Sequence, residues 1–391
     1  MKSRVILILF CILLQSQVGK SNYLYIRLYA DIPLTYLQLY PAQGTYILSG
    51  DGKIINSFSN GNFIEIATKG DSLVLKREGI VFGVYKSLLY SGETSLRTFK
   101  IKPLEPFNSA TRNYHDNLEI RSVNGLLRLL NIVDIENYIG GVVESEGGGK
   151  AAVEYYKLQA ILCRTYTLAH LRRHELEGFQ LCDQVHCQAY KSRTLKKEII
   201  DAVEGTKGLV VVDSDLSLIT AAYHSNCGGE TVNSEDIWSL PKSYLRSRKD
   251  SFCLAQTQAN WVKKTTAQKW NNYVFSKVNS LPTDCTMVRT YSPIYSQEET
   301  RKTYYTVDST RRIPLRVIRD DWQLKSTYFS VEQNGDEIIL KGKGFGHGVG
   351  LCQQGAMEMA KKNYSYKEII HYYYKDVHIV DLSILDFFRQ E

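Results

Sequence analysis

Short runs of apolar residues, at 25–29, 46–49, 63–66 and 72–76, are separated in the first quarter of the chain by turn clusters at Ser49-Gly50-Asp51-Gly52 and Ser59-Asn60-Gly61-Asn62. That rhythm predicts a β-rich N-terminal module over 22–110, with a structural or binding role and no catalytic constellation. Strands resume at 118–121 and 127–130 on either side of Val123-Asn124-Gly125, a hairpin signal. A strand-like segment ending in Val142-Val143 then delivers Glu144-Ser145-Glu146. Three glycines, Gly147 to Gly149, interrupt the pattern before a helix predicted over 150–174. On a regular strand two carboxylates two residues apart point to the same face, so the pattern alone leaves Glu144 and Glu146 equivalent.

Along the predicted helix, Ala151, Tyr155, Leu158, Leu162, Thr165 and Ala169 recur at three- and four-residue spacings, a stripe for the core. Arg164 shares a different face with Lys157 and Ile161, while Glu154 turns away from it. A helix over 196–203 and a strand over 208–212 follow. Residues 251–336 are less regular, with a helix near 266–271, and read as an insert or a peripheral part of the core. A last helix is predicted from Gln353. The expected class is α+β, with the core running from 111 to 391.

Composition changes this picture at the ends and in the charge. Lys2 and Arg4 followed by an apolar run over 5–14 have the form of a secretory signal peptide, taken here as residues 1–21, and the run is too short to span a bilayer. Cys11 lies inside it, which points to ordinary cleavage between Ser16 and Ser21. No later stretch reaches transmembrane length, so an exported protein is expected, in the periplasm, the cell envelope or outside the cell. Removing the first 19 residues leaves 46 lysines and arginines against 41 acids, a net charge of +5 that suits an anionic wall polymer. The 27 tyrosines suit sugar binding, although most tyrosines are half-buried strand residues.

Candidate chemistry collects in four stretches. The first holds Glu136, Tyr138, Gly141, Val142, Val143, Ser145 and Glu146, then Glu154, Lys157, Gln159 and Ala160, then Arg164, Thr165 and Tyr166. The second, residues 179–190, reads FQLCDQVHCQAY. With His174 upstream, its Cys182, His186 and Cys187 supply the ligand types of a Cys2His2 zinc site at a spacing unlike a zinc finger's. In an exported protein the same cysteines can equally form disulfides, and seven cysteines remain after signal removal, an odd number. The third runs Tyr223-His224-Ser225-Asn226-Cys227-Gly228-Gly229-Glu230-Thr231. The fourth, residues 343–357, is glycine-rich around His347. It lacks the Gly-Lys-Ser/Thr ending of a phosphate loop, so no nucleotide or nucleic-acid partner is expected.

Together these stretches resemble the SpoIID/LytB family, stage II sporulation protein D and its amidase-enhancer relatives. The first follows the family's E-x-Y-x-x-G-V-V-x-S-E, E-A-L-K-A-Q-A and A-R-T-Y-A patterns, with Gly147-Gly148 where the family usually has Met-Pro. The others follow D-L-C-D-x-x-H-C-Q-x-Y, Y-H-S-x-C-G-G-x-T and G-x-G-H-G-V-G-x-x-Q-x-G-A. The resemblance spans Glu136 to Met357 and implies a SpoIID-like α+β core with a peptidoglycan-binding cleft.

The function it implies is that of a lytic transglycosylase, which cleaves between N-acetylmuramic acid and N-acetylglucosamine and leaves a 1,6-anhydro end. The alternative is a non-catalytic, wall-binding enhancer of an amidase. Glu146 holds the family's glutamate position. One carboxyl suffices for both proton transfers, provided desolvation raises its pKa from about 4.3 towards about 6. By the same resemblance Arg164, Gln188, Tyr223, His224 and His347 line the glycan cleft. The bland reading makes Arg164 a surface arginine paired with a carboxylate, and the histidines structural. No cofactor is required. Zinc on His174, Cys182, His186 and Cys187 is an alternative to a disulfide, and its role would be to shape the cleft. Glycan strands are the expected partner, with a wall amidase as a second.

Overall fold

Alternation of buried and exposed side chains along short strands builds two sheets that share one apolar interior. The computed structural model describes residues 23–93, 97–148, 150–238, 240–278, 292–297, 301–308 and 310–382. The expected signal peptide, Cys11 and Cys285 lie outside them. In the seven-stranded sheet the order is Leu181–Cys182, Tyr23–Leu28, Leu126–Asp134, Asn117–Val123, Ser87–Gly92, Tyr46–Gly50 and Lys53–Phe58. The six-stranded sheet runs Arg112–His115, Thr98–Glu105, Tyr36–Gln43, Ile64–Lys69, Ser72–Arg77 and Ile80–Tyr85. Aromatic rings lock the two together. Tyr46 stacks on Tyr90 at 4.3 Å within one sheet and meets the edge of Phe99 from the other at 5.9 Å.

The predicted hairpin is present: Val123 faces Leu126 across a turn in which Asn124 and Gly125 both take positive φ, 54° and 75°. A boundary near residue 110, however, does not divide the chain. Strand Tyr23–Leu28 lies between Leu126–Asp134, to which it is antiparallel, and Leu181–Cys182, to which it is parallel. The first residues of the β-rich region therefore complete the sheet that carries the second motif. The fold is α+β, β-rich at the N-terminal end, with its helices following.

The largest departure from the sequence expectation is the segment holding Glu144 and Glu146. It is not a strand but the helix α1, Ile135–Gly147, which follows directly on strand Leu126–Asp134. The Asp134 carboxylate caps it, accepting the Glu136 N–H at 2.8 Å and the Asn137 N–H at 3.4 Å. Gly140 and Gly141 are poor helix formers, and Val142-Val143 favours strands. Packing overrides both preferences. Tyr138, Ile139, Val142 and Val143 are fully buried at helical spacing, and a Cβ at Gly141 would lie 2.5 Å from both the Ser192 carbonyl and the Tyr190 ring.

Helix α2, Val153–Ala169, is shorter than predicted and is buried almost all round, from Tyr155 to Thr167, rather than along one stripe. It is the central helix. Helix α3, Lys197–Glu204, and strand Leu209–Val212 pack beside it. Then come α4, Glu235–Trp238; α5, Ala267–Lys277; α6, Leu315–Asp321; α7, Gln353–Lys361; and α8, Tyr366–Tyr373. Helices α5 and α6 join the three-stranded sheet Asn260–Thr266, Glu337–Lys343 and Phe329–Asn334 around a separate apolar cluster that includes Trp270, Tyr305 and Ile318.

The third and fourth motifs become neighbours through backbone pairing. Tyr223–His224 runs parallel to Leu351–Cys352, and Asn226 pairs with Phe345. Glycine permits the approach: a Cβ on Gly344, whose φ is +76°, would fall 2.5 Å from the Asn226 carbonyl.

Candidate active site and metal centre

At about 100° per residue, positions 144 and 146 diverge by about 200° around α1. Glu144 faces Lys196, at 3.3 Å. Glu146 faces the other way, and its Oε1 accepts the Ala189 N–H at 2.8 Å. Gln353, at the start of α7, donates to the Glu146 carbonyl at 3.4 Å. Burial raises the Glu146 pKa above the ordinary carboxylate range, while the Ala189 N–H and the nearby Lys191 charge pull it partly back.

Glu146 opens onto a cleft of about 830 Å³ formed by the 182–190 loop, residues 220–225, α4, α6 and the glycine-rich loop at 345–347. Among the described residues lining it, Glu146 is the sole carboxylate. Tyr223, His224 and His347 also line it. Both histidines are held neutral. Burial lowers His347 to about 4 and His224 well below its usual value, each helped by nearby positive charge. His347 spends both nitrogens on the backbone, Nε2–H donating to the Tyr223 carbonyl and Nδ1 accepting the Val349 N–H, each at 3.0 Å. It offers the cleft a ring face only. His224 donates from Nδ1 to the Val349 carbonyl at 3.1 Å, which leaves Nε2 as a buried lone pair without a partner among the described residues. The Trp238 ring, 5.2 Å from that of His347, and the half-exposed Phe345 give aromatic faces at the rim.

Beside the cleft, ligand atoms of His174, Cys182, His186 and Cys187 all lie within 4.8 Å of one another. These four residues fit a metal ion. His174 gives Nδ1–H to the Glu177 carboxylate at 2.5 Å, which turns its Nε2 lone pair towards Cys187 Sγ, 3.4 Å away. His186 Nδ1 is 3.7 Å from the same sulfur, so its being adjacent to Cys187 in sequence does not keep it from the group. The Cys182 thiol is pushed down chiefly by a hydrogen bond from Cys187, so one thiolate is favoured there before any ion binds. Asp183 anchors the loop: its carboxylate accepts the Tyr29 N–H at 2.7 Å and pairs with Arg112 at 2.6 Å.

The profile of the stage II sporulation protein family, SpoIID, matches residues 123–212, which carry α1, α2, α3 and the histidine–cysteine group. Stage II sporulation protein D of Bacillus amyloliquefaciens is 29% identical over 279 residues, 66% of this chain and 76% of that protein. Its counterpart in Bacillus subtilis is 28% identical over 263 residues, 63% of this chain and 74% of that protein. The chain is similar to proteins of the SpoIID/LytB family. The amidase enhancer of Bacillus subtilis is 26% identical over 281 residues, 60% of this chain and 39% of the enhancer.

Two motif residues expected at the glycan lie elsewhere. Arg164 is wholly buried: Nε and Nη2 grip Glu136 at 3.0 and 2.6 Å, and Nη1 donates to the Leu209 carbonyl at 3.0 Å. It ties α2 to α1 and to strand Leu209–Val212, an internal pair rather than a surface one. Gln188 is also buried, accepting from Thr167 Oγ1 at 2.9 Å and donating to the Cys163 carbonyl at 3.4 Å. Neither lines the cleft. Trp238 and Arg319, which do, stand outside every motif, and nothing in the sequence marks them. Glu136 and Asp183 lie within the motifs, but nothing in the sequence pairs Glu136 with Arg164 or Asp183 with Tyr29 and Arg112.

Proposed function

We propose that the chain is an exported peptidoglycan lytic transglycosylase with Glu146 as its single acid and base. The observation carrying this is that Glu146 is the one carboxyl among the described residues of the cleft, desolvated and with a raised pKa. Ordinary glycosidases place two carboxyls across the scissile bond, and a transglycosylase that uses the sugar's own hydroxyl needs one. Protonated Glu146 gives its proton to the oxygen leaving C1 of the muramyl residue. The resulting carboxylate faces the cationic sugar and takes the proton of the C6 hydroxyl as that oxygen bonds to C1. The products are a 1,6-anhydro end and a free 4-hydroxyl, and Glu146 ends as it began.

The surrounding groups support binding of a sugar. Trp238 and Phe345 offer apolar faces, and the Nε2 lone pair of His224 can accept from a hydroxyl. His174, Cys182, His186 and Cys187 would hold zinc, whose chemistry there is structural: it would fasten the loop from which Ala189 holds Glu146. The protein is related to cell-wall and sporulation proteins, and among the described residues no helix is long and apolar enough to cross a membrane.

Glu146→Gln should abolish release of anhydro-muramyl products from glycan strands, with and without stem peptides, while Glu144→Gln retains it. A fully active Glu146→Gln would remove the assignment. A folded wild type that binds wall but releases no such product would favour the enhancer reading, which the likeness to the amidase enhancer supports.

A further inference from the structure

Behind the cleft, Cys227, Asp250, Cys253 and Cys352 converge, each at most 1% exposed, with their ligand atoms all within 4.8 Å of one another. We infer that these four residues form a second, structural zinc site, separate from the histidine–cysteine group. A tetrahedral ion with metal–sulfur bonds of about 2.3 Å sets its ligands at corners about 3.8 Å apart. Here Cys227 Sγ lies 3.4 Å from Cys253 Sγ and 3.2 Å from Asp250 Oδ2. Small movements outward around one ion meet that geometry.

The surroundings favour anionic ligands. Cys352 caps α7, and its sulfur accepts the N–H of Gly355 at 3.4 Å and of Cys227 at 3.3 Å. Donors of this kind stabilise a thiolate. Asp250 is oriented by the Phe252 N–H and the Tyr373 hydroxyl, both at 2.9 Å, and among the described residues no lysine or arginine pairs with it. A buried carboxylate without a cation is costly, and a divalent ion removes that cost. Gly355 keeps the space open, since a Cβ there would lie 2.5 Å from Asp250 Oδ2. Arg301 donates to the Cys227 carbonyl at 3.2 Å, placing a positive charge near the group.

A disulfide is the competing use of these thiols, and it explains less. Joining Cys227 to Cys253 would leave a third sulfur with two N–H donors and a carboxylate with no cation. The ion instead engages all four side chains and clamps three segments: the His224 motif, the 250–253 turn, and the glycine-rich loop with α7. Those segments present His224 and His347 to the cleft.

The test is metal stoichiometry on protein purified from zinc-supplemented cells without a histidine tag, with thiol mapping by mass spectrometry. Cys182→Ser/Cys187→Ser removes ligands of the first group only. It should retain one zinc per chain, and adding Cys352→Ser or Asp250→Asn should release it. Wild type supplies the measurement that needs no variant to fold: zinc X-ray absorption should show a site richer in sulfur than two cysteines and two histidines provide. A zinc-free double variant that melts like wild type, wild-type zinc with only the two-sulfur signature, or a Cys227–Cys253 disulfide peptide would each overturn the site.

Discussion

Glu146 and Arg164 show how far residue chemistry depends on what surrounds it. Both are charged and lie in motifs, yet one faces a cleft and the other an internal carboxylate. Because folding raises the Glu146 pKa, the folded protein binds that proton more tightly than the unfolded chain does. The associated stability is present below the ordinary carboxylate pKa and is lost as pH rises through the elevated one. At neutral pH the ionised side chain is therefore a burden on the fold. Glu146→Gln should melt no lower than wild type at pH 7, and the difference between them should shrink towards pH 4, which differential scanning calorimetry can follow. Glycan cleavage should decline on the alkaline side, as the acid form disappears.

Among the elements, α1 carries most of the argument. Its apolar residues fit a buried helix or a buried strand, and valine and glycine tilt a local reading towards the strand. The motif position of Glu146 was legible without knowing the element, because the resemblance rests on residue order. Its separation from Glu144 was not, since it follows from the helical period. Gly141 lets α1 lie against the 190–192 segment, while Gly147, first of the three glycines that suggested a break, is the last residue of α1 and packs on Tyr155. Gly141→Ala should cost about 1–3 kcal/mol through overpacking, despite alanine's better helix propensity. Denaturant unfolding measures this, and an unchanged midpoint would show that the contact is loose.

At the scale of the whole molecule, the cleft depends on strands far from it in sequence. Tyr23–Leu28 supports the Leu181–Cys182 strand, and Asp183 is held by Tyr29, Ala30 and Arg112. A chain beginning at residue 111 keeps Arg112 but lacks the Tyr23–Leu28 strand, Tyr29 and Ala30, and exposes the apolar face of its remaining strands. It should fail to give the cooperative melting transition of the full chain, and its 182–187 loop should be cut early in limited proteolysis. A truncated chain with a sharp transition and a protected loop would mean that the first strands are dispensable.

The sequence by itself determined the α+β class, the Asn124-Gly125 hairpin, the helices near 196, 266 and 353, and the order of motifs that carries the family likeness. These are local properties: turn residues with positive φ, short periodicities and residue identities at fixed spacing. Tertiary structure alone decided that α1 is a helix, that Arg164 and Gln188 serve the interior, that Trp238 reaches the rim, and that Cys227, Asp250, Cys253 and Cys352 meet. Each of these depends on contacts between residues far apart in the chain. No local preference encodes them, because burial and ligand geometry arise only when several segments occupy the same space.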